Sequence, residues 1–327
     1  MDVRLAVVVA PRGQQQQQVR QFSVATQALS DGKEVNLGAQ FCAVPAPAGA
    51  GMFEGQVAFK KASAKHMAVA VVSCSVGGAT VCTARSTPFV VTSNESQFDE
   101  ALGQLLQQHI YGECGAAAPA KAVCNELQMA YLRATRQNPA DPARPLSPFD
   151  FRYMLQLHCQ APEPAAVTRA QFAALWEWFG PIVSRIRHDK AIGQLWTQGF
   201  VMGFISKAES EELLRGEKPG TFVLRFSSQA PGSFAVAYAA PAGGGGVAHY
   251  LLKKTDINVS VSLAKFLLEK PFFATLLQTV PSFSERRQWQ RAEKKKALGK
   301  WDKESSGSAV AGYDEVLNIP FANMQLE

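Results

Sequence analysis

GTFVLRFSS (Gly220 to Ser228) alternates three large apolar side chains, Phe222, Leu224 and Phe226, with Thr221, Val223 and Arg225. A period of two predicts a strand with one face in a core. Arg225 falls mid-strand on the opposite face, with an apolar neighbour on each side. A guanidinium placed there must reach water or meet an anion, because an unpaired buried charge is costly. Ser227, Ser228, Pro231 and Gly232 follow, so the strand runs into a loop rich in hydroxyls and backbone N–H donors. An arginine fork beside such a loop can hold a dianionic phosphate through bidentate, charge-assisted bonds. Taken alone, the stretch reads more readily as a strand arginine snorkelling to solvent.

The residues upstream shift that balance. Leu195 to Ser228, LWTQGFVMGFISKAESEELLRGEKPGTFVLRFSS, contains Trp196, then GFISK at Gly203 to Lys207, an acidic helical run and GTFVLRFSS. In that order and spacing it closely resembles the opening of the phosphotyrosine-binding Src-homology-2 (SH2) domain of the STAT family, the signal transducers and activators of transcription. The resemblance implies that Arg225 is the phosphate-binding arginine of the second strand. It implies that Lys207 is the helix lysine beside it, and that Ser227 and Ser228 are loop donors. The family often has glutamate and serine where this chain has Ser228 and Gln229, so the loop departs slightly. His249-Tyr250 resembles the histidine–tyrosine pair on the fourth strand of many phosphotyrosine modules. The STAT branch does not usually keep that histidine, which leaves His249 either a structural imidazole or a pocket member.

With 327 residues the chain has room for two or three domains, each with its own core. Apolar content of 47% and charged content of 18% describe a globular protein rather than a disordered one. The formal net charge of +6 is compatible with a polyanionic partner but weak evidence for one. The six cysteines form no C-x-x-C pair and no zinc spacing with histidine, which suits a reducing cytosol or nucleus. The apolar run in MDVRLAVVVAP is too short for a membrane span or a signal-peptide core, so the chain reads as soluble, with no membrane partner.

Residues 1–97 read as an all-β, immunoglobulin-like sandwich, from short β-branched or alternating runs: LAVVVA, FCAVPA, GQVAFKK, MAVAVVSCS, ATVCTA and TPFVVTS. Gln14 to Gln18 interrupt the first turn. TPFVVTSNESQFDEA (Thr87 to Ala101) resembles the last strand of the STAT DNA-binding domain, which implies that Asn94 and Gln97 contact double-stranded DNA. Without that resemblance, Asn94 reads more readily as a helix cap. Residues 98–195 are helical and resemble the STAT linker, an all-α module with an EF-hand-like shape; without a D-x-D-x-D-G loop, no metal is expected. Thr168 is the expected cap of a helix interrupted at Gly180-Pro181. Residues 196–282 complete the α+β SH2 domain, with Ser260 or Ser262 capping its second helix.

The last segment, 283–327, opens with ERRQWQRAEKKKALGKW, read as a basic helix. A Ser/Gly hinge at Ser305 to Ser308 then leads to Tyr313, followed by Asp314 and Glu315 and preceded by Gly312. STATs carry one activating tyrosine in this place, which implies that a tyrosine kinase phosphorylates Tyr313. The expected partner of the SH2 domain is then a phosphotyrosine peptide or a second copy of the chain, in a reciprocal dimer that binds DNA. The resemblance thus implies a transcription factor of the cytoplasm and nucleus. The alternative class is a cytoplasmic phosphotyrosine adaptor without DNA binding. No nucleophile motif, P-loop or metal constellation supports an enzyme, and no cofactor is expected.

Overall fold

The computed structural model describes residues 3–8, 20–30, 33–37, 39–44, 52–58, 63–76, 79–112, 115–241, 246–253, 256–257, 261–280, 288–301 and 315–318. The polyglutamine run, the Ser305 to Ser308 hinge and Tyr313 lie outside them. The chain divides into two compact units, Met1–Leu105 with Val310–Glu327, and Leu106–Ala309.

The first unit is a multistranded β region. Strands β1 (Val3–Val8), β3 (Gln40–Val44) and β4 (Met52–Ala58) form one antiparallel sheet in the order β1-β4-β3. β2 (Arg20–Ala28), β5 (Ser63–Val76), β6 (Ala79–Arg85) and β7 (Phe89–Thr92) form a second. β5 is its hub, pairing with β2, β6 and β7. Leu37, Ala68, Ala70, Phe89 and Val91 pack into its core, with Val24 and Val35 against them. β2 was not among the runs read as strands, although Phe22, Val24, Thr26 and Ala28 alternate; its intervening Gln, Ser and Ala residues dilute the signal. A final strand, Glu315–Asn318, adds antiparallel to β7 in the register Glu315↔Thr92 to Asn318↔Phe89. The chain two residues beyond Tyr313 is therefore held as an edge strand, where the sequence suggests a loose tail.

The second unit begins with helices. α1 (Phe98–Tyr111) leads in, and β8 (Ala117–Pro119) introduces α2 (Ala120–Ala134). α3 (Pro148–Cys159) is followed by β9 (Ala166–Thr168), which pairs antiparallel with β8 and introduces α4 (Arg169–His188). Ser147 and Thr168 each close a capping box, with Asp150 and Gln171. Contrary to expectation α4 runs unbroken through Pro181. Its missing N–H costs about 3 kcal/mol in a helix interior, but Trp178, Phe179, Ile182 and Val183, all buried around it, fix the helix from outside. The chain breaks instead at Asp189, whose carboxylate accepts from Ile192 N at 3.0 Å and starts α5 (Lys190–Thr197).

α6 (Lys207–Leu214) then opens the α+β part, capped by Ser206 with Glu209. β10 (Thr221–Phe226), β11 (Phe234–Ala239) and β12 (Val247–Leu251) form an antiparallel meander. α7 (Leu263–Glu269), capped by Ser262, leads to β13 (Thr275–Val280), parallel to β10, and to β14 (Gln288–Glu293). The sheet order is β12-β11-β10-β13-β14, and α8 (Lys294–Leu298) closes the unit.

The basic segment is thus not one helix. Its first half alternates as an edge strand on β13, and only Lys294–Leu298 is helical. Lys294 is buried and donates to the carbonyls of Leu267, Leu268 and Lys270 at 3.3, 3.1 and 2.7 Å. It caps the C-terminal end of α7, where a cation meets the negative end of the helix dipole.

Both faces of β10 are covered. Phe226 stacks between Phe204 and Phe234, at 5.2 and 5.1 Å between ring centres. On the other face Val223 joins Met202, Ile205, Leu214, Ala237 and Leu277 beneath α6. Arg225 shares that second face by strand alternation.

Candidate functional site

Arg225 is only 7% exposed, so the sequence reading that let it snorkel into water does not hold. β10 is fastened on one side to β11, with Arg225 opposite Ala235. On the other, Met202 N donates to Leu224 O at 2.7 Å and Phe226 N to Gly203 O at 3.1 Å. Gly203 holds φ +98°, and a Cβ there would meet the Trp196 ring at 3.0 Å and Arg144 Nη2 at 3.3 Å. The glycine of GFISK is what lets this segment lie against β10.

The guanidinium is poorly satisfied. Nη1 donates to the Phe226 carbonyl at 3.2 Å, while Nε is buried without a partner. Among the described residues no carboxylate lies within ion-pair distance of it. Burial lowers its pKa, against the attraction of the Tyr153 phenol. An arginine stays charged through such a shift, so the fold stores a dry cation without an internal anion.

Around it the structure gathers most of the residues singled out in the sequence. Lys207 starts α6 over the Arg225 face; its ammonium is two-thirds exposed and 3.8 Å from Glu211. His249 on β12 lies opposite Ala237, and its Nε2 sits 3.0 Å from Glu211 Oε1 while Nδ1 is buried without a partner. Burial lowers the imidazole pKa and the hydrogen bond to Glu211 raises it, while the Lys207 and Arg225 charges lower it further.

Ser227 is buried and shapes the loop: its Oγ accepts from Gln229 N and Ala230 N at 3.2 and 3.1 Å. Its carbonyl accepts from Trp178 Nε1 at 2.9 Å. Burial raises the Tyr153 pKa, against the Arg225 charge and the Ser228 hydroxyl. Arg185 braces the far end of the loop, donating to Gly232 O at 3.1 Å. Tyr153, Trp178 and Arg185 stand on α3 and α4, more than 35 residues before the loop, so no local motif links them to it.

Histidines of depressed pKa make a prediction about stability. His158, also lowered by burial, and His249 take up protons less readily in the folded chain than once unfolded, when they bind them near pH 6.5. The unfolded state therefore gains protons first as pH falls, and stability drops below about pH 6.5. Melting temperature measured from pH 7.5 to 5 should fall over that window, with a shallower slope in the His158→Gln, His249→Gln double variant. Equal slopes would place the loss in other groups.

Asn94 and Gln97 belong to the first unit. Asn94 is exposed and starts a single 3-10 turn, Glu95–Gln97, without a side-chain cap bond. Its Oδ1 accepts instead from Ser96 Oγ at 2.6 Å. Gln97 Oε1 accepts from Ser93 N and Oγ at 2.9 and 3.3 Å, which ties the end of β7 to the start of α1.

Comparison with known proteins agrees with this architecture. Residues 94–189 match the EF-hand fold domain family and residues 200–281 the SH2 domain family. Signal transducer and activator of transcription A of Dictyostelium discoideum is 32% identical over 231 residues, which are 70% of this chain and 32% of that protein. Signal transducer and activator of transcription B of the same organism is 33% identical over 153 residues, 47% of this chain and 13% of the relative. Signal transducer and activator of transcription 4 of Mus musculus is 28% identical over 125 residues, 38% of this chain and 16% of the relative. The chain thus spans a third or less of the length of these relatives. A solved structure titled inactive choanoflagellate E3 ubiquitin ligase Cbl TKB aligns over 61% of this chain and 52% of its own, at 15% identity. The TM-score of that alignment is 0.26. The EF-hand-like helices joined to an SH2 domain, together with the two Dictyostelium relatives, establish the chain as a member of the STAT family.

Proposed function

We propose that this chain is a phosphotyrosine-switched, DNA-binding signalling protein. Arg225, Lys207, Ser227, Ser228 and His249 take a phosphotyrosine, and the phosphorylated Tyr313 of a second copy is the ligand. The observation that carries this reading is the buried Arg225 guanidinium with an unpartnered Nε and, among the described residues, no carboxylate within ion-pair distance. Such a cation is costly to keep unless an anion is going to arrive. Phosphorylation by a tyrosine kinase adds close to two negative charges and three strong acceptors to Tyr313.

Docking of each tail into the other copy makes a two-fold dimer whose two contacts reinforce each other through effective concentration. In this reading residues 1–97 form an immunoglobulin-like sandwich that presents Asn94 and Gln97 to double-stranded DNA. Residues 98–195 are the linker, 196–282 the SH2 domain and 283–327 the basic and phosphotyrosine segment. The protein then works in both cytoplasm and nucleus, without chemistry of its own. Two facts support the DNA-facing part: Asn94 is exposed, and its side chain caps no backbone N–H.

Sedimentation velocity after treatment with a tyrosine kinase tests the switch. The parent should move from monomer to dimer, and Tyr313→Phe should remain monomeric. A parent that dimerises equally well without phosphate removes the switch. A gel shift on the phosphorylated dimer, repeated across salt concentrations, should give an affinity that falls as salt rises. A dimer that leaves DNA unshifted at every salt concentration is an adaptor instead.

A further inference from the structure

A carboxylate stands among the side chains assigned to the phosphate. Glu211, on α6, places Oε1 3.0 Å from His249 Nε2 and 3.8 Å from the Lys207 ammonium. A carboxylate can only accept, so the bonded Nε2 carries its proton. In the neutral ring Nδ1 is then a bare lone pair, and it is buried without a partner.

The register of the sheet sets this imidazole on the Arg225 face. His249 pairs with Ala237 and Ala237 with Val223, one pleat along from the row that joins Arg225 to Ala235. His249, Val223 and Arg225 therefore share the face beneath α6, and the β11 residues between them are two buried alanines. Strand spacing puts the His249 and Arg225 Cα atoms about 12 Å apart, a gap that their side chains and one phosphate can fill.

Resting on the reading of Arg225 as the phosphate-binding cation, we infer that Glu211 is a positioning residue of this site: it holds His249 so that docking of the phosphate is completed by uptake of a proton at Nδ1. The imidazolium bridges two anions, donating Nε2–H to Glu211 and Nδ1–H to a phosphate oxygen. The proton comes from solvent, and no other bond forms or breaks. In the empty site burial holds the imidazole below its ordinary pKa of 6.5; the Lys207 and Arg225 charges act the same way and Glu211 opposes them. The neutral ring therefore dominates at pH 7.4. A phosphate dianion reverses that balance, because it neutralises the two cations and adds its own attraction for a proton. α6 contributes Glu211 and Lys207 to the field at His249 and β10 contributes Arg225, while the facing alanines of β11 do not titrate.

Isothermal titration calorimetry of the full chain with a phosphotyrosine peptide spanning Tyr313, at pH 7.4 in buffers of different ionisation enthalpy, counts the protons. The parent should take up about half to one proton per peptide, and its affinity should rise as pH falls from about 8 to 6.5. Uptake should vanish in His249→Gln. It should shrink in Glu211→Gln, which keeps an acceptor for Nε2 but loses the charge that steadies the imidazolium, with affinity about fivefold weaker. A Glu211 that merely supports the fold would leave the proton count unchanged. A parent that binds without buffer dependence overturns the inference and leaves Arg225 as the cation of the site. Uptake that survives in His249→Gln, or is undiminished in Glu211→Gln, overturns it as well. A parent that binds in no buffer removes the phosphotyrosine reading itself, and this inference with it.

Discussion

Arg225→Ala is expected to weaken phosphotyrosine-peptide binding by about 2–5 kcal/mol, roughly thirtyfold to a few thousandfold. The size follows from what is left behind. A phosphate brought into a dry pocket without its guanidinium is itself a stranded charge, so the loss exceeds that of one hydrogen bond. The same substitution should leave the fold as stable as the parent or more so. Arg225 is 7% exposed, with an unpartnered Nε, a pKa that burial pushes down and, among the described residues, no carboxylate within ion-pair distance. Arg225→Met, which fills the space between Val223 and the loop with an apolar chain, should raise the melting temperature while abolishing peptide binding. That opposition of affinity and stability marks a residue kept for a ligand. Thermal melts and anisotropy titrations on one set of samples decide it. Parallel losses of stability and affinity would make Arg225 a structural residue whose removal merely loosens β10.

The sequence made the strand and its arginine legible because period-two alternation is local and the GFISK and GTFVLRFSS motifs lie close together. Gly203 is the clearest case: the motif glycine corresponds to a backbone at φ +98° pressed against Trp196 and Arg144. Covering of the second face of β10 was not legible, since it depends on α6 folding over Val223. For that reason Arg225 was expected nearer to water than it lies. Pro181 reads as a helix breaker because propensity is a local rule, whereas the aromatic packing that overrides it is tertiary. The run of lysines after Glu293 reads as a solvated face for a similar reason. The three carbonyls that Lys294 caps belong to residues 24 to 27 positions earlier in the chain.

The largest loss of stability is expected from Arg144, in the proline-punctuated connector between α2 and α3. Its guanidinium lies 3.4 Å from the centre of the Trp196 ring and donates to the carbonyls of Trp196 and of Met202, the latter at 3.2 Å. Its own carbonyl accepts from the Tyr131 hydroxyl at 2.7 Å, and that hydroxyl accepts from Trp196 Nε1 at 2.6 Å and Gln137 Nε2 at 3.0 Å. Burial pushes the Tyr131 pKa to about 12, so the phenol remains a donor across the working range. Arg144→Ala strands the buried Met202 carbonyl, takes one of the bonds from that of Trp196 and removes a desolvated cation–π contact, together about 3–5 kcal/mol. For a unit of this size that is a fall in melting temperature of about 10 °C. Arg144→Lys should recover little of it, because an ammonium cannot lie flat on the indole and reach both carbonyls at once. Peptide affinity should drop less than in Arg225→Ala, through slackening of the Met202–Gly203 segment that flanks Arg225. A melt within 2 °C of the parent would mean that water replaces the guanidinium at both carbonyls, and that the connector is not what locks Trp196 in place.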